Sequence, residues 1–414
     1  MKSLPPFFRQ RFYLIKLLLI TGIMIGYLDS CTLVDHPPQG NKYLVSSTFI
    51  GEVTKQELAL RLAALSLPLP AEIPAASIPL YDIKVYKIVY KTKNPAGQEI
   101  QASGALIIPK TANPVALISQ QHGTITNDAN APSYYGMGSE AYSFNSIFAS
   151  NGFIISCPDY IGFGTSGSMN NLLLHTYEHR EGLAQASLDM LRAAKELIQS
   201  DNTINWDTRL FLTGYSEGGF ATMSLYKKMQ DEVPNEFNLK AVSAGAGAYD
   251  KTSFMKELLT KPSHGISAYN QTYLWVLLTY DRIYGLNRPL EKYFVDPYLT
   301  RIKTSGVGAL LDTSFDNIFT ADFKNGVANG TDTQFLAAVA DNNVYDWKPL
   351  KPLQLYHGTV DPQVFFLNSQ NAYTAMKAKG MDVPVYLFPI VGETHQTSLP
   401  SYVVGTFVFF KTVQ

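Results

Sequence analysis

The sequence predicts an α/β fold, a mostly parallel sheet with helices on both faces. Three observations predict it. Short, mostly apolar runs recur from residue 80 onward, at Val115–Gln120, Phe153–Cys157, Arg209–Thr213, Leu239–Ala244, Leu353–Tyr356 and Val385–Pro389. Helical patterns separate them, and strands apolar on both faces belong to a parallel sheet between helix layers. The rhythm breaks once, between about 249 and 347, and then resumes, so a long insertion sits late in an otherwise regular domain.

Composition narrows the function. The chain has 414 residues, 33 Lys+Arg against 34 Asp+Glu, and a formal charge of −1. It is 46% hydrophobic and only 16% charged. A near-neutral chain is a poor polyanion binder, so no nucleic-acid partner is expected. The apolar content excludes a disordered chain, and two cysteines cannot frame a disulfide scaffold.

The elements follow in order. Lys2, Arg9, Arg11 and Lys16 precede Leu17–Leu28, a stretch of 12 residues without charge. That is short of the ~20 apolar residues a bilayer span needs, but it suits an export signal over residues 1–30. The signal ends in Leu28-Asp29-Ser30-Cys31, which resembles the lipobox of bacterial lipoproteins except for Asp29. The resemblance implies a lipid on Cys31 and a membrane-anchored envelope protein. The alternatives are an uncleaved anchor helix and a plain secreted form. Residues 31–79 read as a tether, with a helix over Thr54–Leu65 for which Thr54 and Glu57 form a capping box. Asp82–Thr92 and Ile100–Pro109 alternate and flank Asn94-Pro95-Ala96-Gly97, an antiparallel hairpin. Helices are expected over Leu172–Ser200, Phe220–Gln230, Phe366–Lys379 and Ser401–Lys411. The core is thus 80–248 with 348–414, and the insertion is 249–347. Cys157 is left as a lone thiol at a strand end.

Gly214-Tyr215-Ser216-Glu217-Gly218 is the one G-x-S-x-G in the chain. It follows a predicted strand and opens a predicted helix, the context of a nucleophile elbow. Small residues are needed where strand and helix nearly touch, and the turn presents the Ser216 hydroxyl at a helix N-terminus. A serine hydroxyl needs a base to take its proton. In this arrangement the partners follow as Ser…Asp…His. Asp361 comes just after Leu353–Tyr356, and His395 comes after Val385–Pro389. Asp382, beyond the next helix, is the weaker acid candidate. An oxyanion hole requires two backbone donors. Glu217 supplies one. Gln121-His122-Gly123-Thr124 supplies the other, from Thr124 or alternatively Gly123. Tyr215, His122 and Tyr160 are the substrate-side candidates, although His122 also suits a brace for its loop, and Asp159 with Tyr160 a brace at the sheet edge.

With these residues placed, the chain resembles the α/β-hydrolase superfamily from about Tyr81 to Lys411. Within it the likeness is to the secretory lipase family and related bacterial esterases. The carriers are QHGT at 121–124, PDYIGFGTS at 158–166, GYSEGG at 214–219, YHGTVDP at 356–362 and THQ at 394–396. The resemblance implies carboxylic-ester hydrolysis without a cofactor and a helical cap inserted before the acid strand. The expected substrate is a small-molecule ester, no metal is expected, and the chain is expected to be a monomer. Residues 249–347 match that cap in position. Tyr269, Tyr273, Val276, Tyr280, Ile283 and Tyr284 form an aromatic and apolar helix face there, for core packing or for an acyl pocket.

Three other readings compete. A peptidase with the same triad is one, and a binding protein with a dead site is another. The third is a zinc hydrolase. His175-Thr176-Tyr177-Glu178-His179 spells H-x-x-E-H, which on a helix sets two histidines on one face, with Glu257 as a further ligand. The motif is expected at the start of a helix, facing away from the catalytic edge.

Overall fold

The computed structural model describes residues 40–64, 79–167, 171–380 and 382–413. The export signal, Cys31 and much of the 31–79 segment lie outside these residues. Among the described residues the sheet has nine strands in the order β1-β2-β3-β5-β4-β6-β7-β8-β9. They are β1 (Leu44–Val53), β2 (Ile83–Lys93), β3 (Glu99–Pro109), β4 (Val115–Gln121), β5 (Phe153–Pro158), β6 (Trp206–Tyr215), β7 (Asn238–Gly245), β8 (Leu353–Gly358) and β9 (Val385–Ile390). The pairs β1–β2, β2–β3 and β3–β5 are antiparallel. All pairs from β5–β4 to β8–β9 are parallel. The hairpin turn closes as its residues dictate. Asn94 Oδ1 accepts from Ala96 N and Gln98 N, and Gly97 takes φ 79°.

Helices cover both faces. The helices are α1 (Lys55–Ala64), α2 (Ser146–Ser150), α3 (Arg180–Ser200), α4 (Glu217–Glu232), α5 (Lys251–Thr260), α6 (Ser267–Ile283), α7 (Tyr298–Ser305), α8 (Ala321–Ala328), α9 (Thr333–Asp341), α10 (Leu367–Ala378) and α11 (Leu399–Thr412). On one face Leu183, Leu188 and Leu191 of α3 meet Phe220 and Met223 of α4 over Leu117, Leu210 and Leu212. On the other, Leu58 of α1, Phe148 of α2 and Phe407 and Phe410 of α11 pack on Ile118, Ile155 and Phe211. Helices α5–α9 all lie between β7 and β8, where the insertion was expected. They gather around their own apolar cluster, with Tyr273, Trp275, Val276 and Tyr280 of α6 among Phe254, Phe315, Phe319, Phe323 and Phe335.

Three expectations change. Leu44–Val53 is an edge strand rather than tether. Its side chains are mostly half-buried or exposed, so neither face shows a continuous apolar pattern. Thr54 does cap α1, its hydroxyl accepting from Glu57 N at 3.2 Å, but the Glu57 carboxylate turns to Arg61 instead of closing the box. Helix α3 begins at Arg180, not Leu172, because His179 is its cap and accepts from Gly182 N at 3.1 Å through Nδ1.

Candidate active site

The site forms where β4, β6 and β8 end. Strand β6 runs out at Tyr215, Ser216 turns at φ 62° and ψ −125°, and α4 starts at Glu217. The turn is tight because backbones nearly touch. A Cβ on Gly214 would sit 2.2 Å from Gly218 O, one on Gly218 2.1 Å from Gln121 O, and one on Gly219 2.2 Å from Gly245 O. Such distances exclude any side chain. Positive φ at a serine is a strained state that the surroundings must impose. Ser216 N donates to Gly245 O at 2.9 Å, which pins the turn.

Ser216, His395 and Asp361 lie in one hydrogen-bonded chain. His395 Nε2 is 2.8 Å from Ser216 Oγ, and His395 Nδ1 is 2.6 Å from Asp361 Oδ2. The loops carrying Asp361 and His395 are tied together. A Cβ on Gly358 would lie 2.3 Å from Glu393 O, and Val360 N donates to Glu393 O at 3.2 Å. Asp361 Oδ1 accepts from Gln363 N and Val364 N at 2.8 and 2.9 Å. Burial pushes the Asp361 carboxyl up, but hydrogen bonds with His357 and His395 outweigh it and bring it down to about 2. His357 is held in turn by Ser369 Oγ and Val364 O, both at 2.7 Å. Asp382 is remote from this chain and pairs with Lys348.

The candidate oxyanion donors at the other side separate. Gly123 N donates to Glu140 Oε1 at 2.9 Å, so this group is occupied. The Thr124 and Glu217 N–H groups find no acceptor among the described residues. Glu140 had no signal in the sequence. It reaches the site from the turn before a π-helical segment, Ala141–Asn145. Burial raises its carboxyl despite the lowering pull of Gly123 N–H, His122 and Gln120.

A cavity of about 260 Å³ opens at Ser216 and His395. Its polar lining includes Gln120, Glu140 and Thr124, and Phe144, Phe148, Leu399 and Val403 supply apolar lining. Tyr215 is on its wall, with the hydroxyl donating to His395 O at 2.6 Å. His122 and Tyr160 are not on its wall, contrary to the substrate contact expected of them. They are buried behind the loop, their rings 4.2 Å apart. Tyr160 OH donates to His122 O, and Asp159 accepts from Ser103 Oγ and Ser133 N. These residues brace the loop because their hydroxyl and carboxyl groups are spent on backbone and neighbours. No residue of 249–347 lines this cavity, and the α6 stripe packs into its own cluster instead.

The H-x-x-E-H segment is a loop, not a helix, and it faces the site rather than away from it. His175 Nε2 meets Glu217 Oε1 at 2.6 Å, while His179 turns to cap α3. Glu178 pairs with Lys251. The two histidines therefore do not converge, and among the described residues no cluster of three or more His, Cys, Asp or Glu could hold a metal.

Residues 137–397 match the model of the secretory lipase family. No curated protein matches the chain in sequence. A Legionella pneumophila protein assigned as a hydrolase superposes with TM-score 0.78 at 28% identity, over 90% of this chain and 98% of its own. The rice cell wall degrading esterase LipA of Xanthomonas oryzae gives 0.72 at 21%, over 90% and 99%. Candida antarctica lipase A in its closed state gives 0.61 at 16%, over 90% and 82%. The last two likenesses establish the α/β-hydrolase fold.

Proposed function

The chain belongs to the secretory lipase family and is a carboxylic ester hydrolase, and from that premise we propose that Ser216, His395 and Asp361 perform the hydrolysis through an acyl-enzyme. The observation that carries this reading is the hydrogen-bonded chain from Ser216 Oγ to Asp361 Oδ2, set at a strained turn and open to a cavity. His395 takes the Ser216 proton while Asp361, ionised well below neutral pH, fixes the imidazole. Ser216 attacks the ester carbonyl. The N–H groups of Glu217 and Thr124 receive the negative charge that develops on the carbonyl oxygen. His395 then protonates the leaving alcohol, and water, activated by the same histidine, frees the acid.

The Phe144, Phe148, Leu399 and Val403 lining suits a short apolar acyl group. The insertion 249–347 serves as the cap over this edge. The test is labelling with a fluorophosphonate, which reacts with an activated serine. Wild type is to label and hydrolyse a short p-nitrophenyl ester. Ser216→Ala is to lose the label and about 10⁶-fold in turnover. Equal labelling of both would sink the assignment.

We further propose that the protein is exported and anchored by a lipid on Cys31. The charged start, apolar run and Leu28-Asp29-Ser30-Cys31 support this. Metabolic labelling with an alkyne fatty acid checks it. The label is to be lost in Cys31→Ala, and its retention would refute the anchor.

A further inference from the structure

Ester hydrolysis does not account for the 175–179 loop, which is almost wholly buried. Two of its side chains, two positions apart, reach the two residues that supply the oxyanion-hole donors. His175 Nε2 lies 2.6 Å from Glu217 Oε1, and Tyr177 Oη lies 2.9 Å from Thr124 Oγ1. Both His175 nitrogens face oxygens, because Nδ1 is 2.8 Å from Ile161 O. The contact with Glu217 therefore needs a proton shared between the two side chains. The Glu217 carboxylate is buried away from the cavity, and its other oxygen has no partner among the described residues. A buried acid in that state depends heavily on its one contact. The carboxylate touches nothing that reacts, yet it belongs to the residue whose N–H opens α4.

The loop is itself fixed. Gly162 takes φ +99°, and a Cβ there would lie 2.3 Å from His175 N. Tyr177 stacks on Trp275 with ring centroids 4.2 Å apart, and Trp275 also meets the His175 ring edge-on. Tyr280 Oη donates to Glu178 O at 2.8 Å, and Lys251 pairs with Glu178. Lys251, Trp275 and Tyr280 all come from α5 and α6. The insertion thus grips the loop, and the loop grips both donors.

We propose that His175 and Tyr177 are positioning residues that hold the Glu217 and Thr124 N–H groups at the spacing the tetrahedral oxyanion requires. The proposal rests on the serine mechanism above. A donor set for the transition state contributes little to substrate binding, so misplacing it lowers kcat and leaves KM nearly unchanged. A small misplacement of reacting groups can cost about 10²-fold.

The experiment uses Tyr177→Phe, His175→Leu and His175→Gln in the full chain, with a short p-nitrophenyl ester and a trifluoromethyl ketone that forms a serine-bound oxyanion. Tyr177→Phe and His175→Leu are to lower kcat by about 10-fold to 10²-fold, with KM within about twofold. Ketone affinity is to fall by the same factor as kcat/KM. His175→Gln is to recover most of the loss, since its amide still donates to Glu217 Oε1. Unchanged kcat in folded variants, or a loss carried by KM alone, would overturn the proposal. Should His175→Leu fail to fold, Tyr177→Phe decides, because it removes one hydroxyl and keeps the ring. Activity retained in Ser216→Ala would overturn the serine mechanism and this proposal together. Activity lost there with unaffected loop variants would overturn this proposal alone.

Discussion

The two sides of the catalytic edge are held by different means. On the strand side, backbone rests on backbone. Gly214, Gly218 and Gly219 let β6 and α4 approach Gln121 and Gly245 so closely that no Cβ fits. Gly358 does the same between the Asp361 and His395 loops. On the insertion side, side chains do the holding. His175, Tyr177 and Glu178 are gripped by Trp275, Tyr280 and Lys251 and reach Glu217 and Thr124. A backbone contact admits one residue type, whereas a side-chain contact can be altered one atom at a time. The proposed nucleophile therefore sits on the part of the molecule least open to substitution, and the residues proposed as oxyanion donors are reached from the insertion.

The largest test of this contrast is Gly218→Ala. Its methyl would lie 2.1 Å from Gln121 O, a backbone atom that cannot turn aside. Helix α4 must move off β4, at a cost on the order of 3 kcal/mol or more. The melting temperature is to fall by several degrees, and turnover is to collapse with it because Ser216 heads that helix. Tyr177→Phe is to do the reverse, losing turnover while melting close to wild type. If Gly218→Ala melts and turns over like wild type, the two sides do not differ in the way described.

This contrast also explains what the sequence made legible. Backbone contacts leave glycines at fixed offsets, and so Gly214, Ser216 and Gly218 could be read together. The hydrogen-bonded partners of Ser216 could be read from chain order, since Asp361 and His395 each come just after a strand. Side-chain contacts leave no such trace. Glu140 meets Gly123, and His175 meets Glu217, 42 positions away, without any local pattern. The H-x-x-E-H spacing suggested a helix and a metal because helical periodicity continues through Leu172–Ser200. The choice between helix and loop was made by tertiary partners, the Glu217 carboxylate and the α3 cap, which spacing does not encode. Leu44–Val53 escaped for a related reason. An edge strand half-open to solvent has little hydrophobic pattern to show.

A smaller effect sharpens the comparison by pH. His179 ends the loop and accepts from Gly182 N through Nδ1, which it can do only while that nitrogen is unprotonated. Burial lowers its pKa from 6.5 to about 4, against the raising pull of Asp341 and with further lowering by Arg180 and Arg282. The unfolded chain takes up the proton near its ordinary value, the folded chain only near 4. The stabilisation is therefore complete above about pH 6.5 and is lost as pH falls toward 4. Between pH 7 and 5 the loss is about 2 kcal/mol. Urea unfolding of wild type at the two pH values is to show it. His179→Asn keeps a capping acceptor without a titrating proton and is to flatten the slope. Equal slopes in both proteins would assign the loss to another group. Asp361, brought down to about 2, stays ionised throughout this range. Mild acid is thus to loosen the side-chain-built side of the site while the strand-built side keeps its charge.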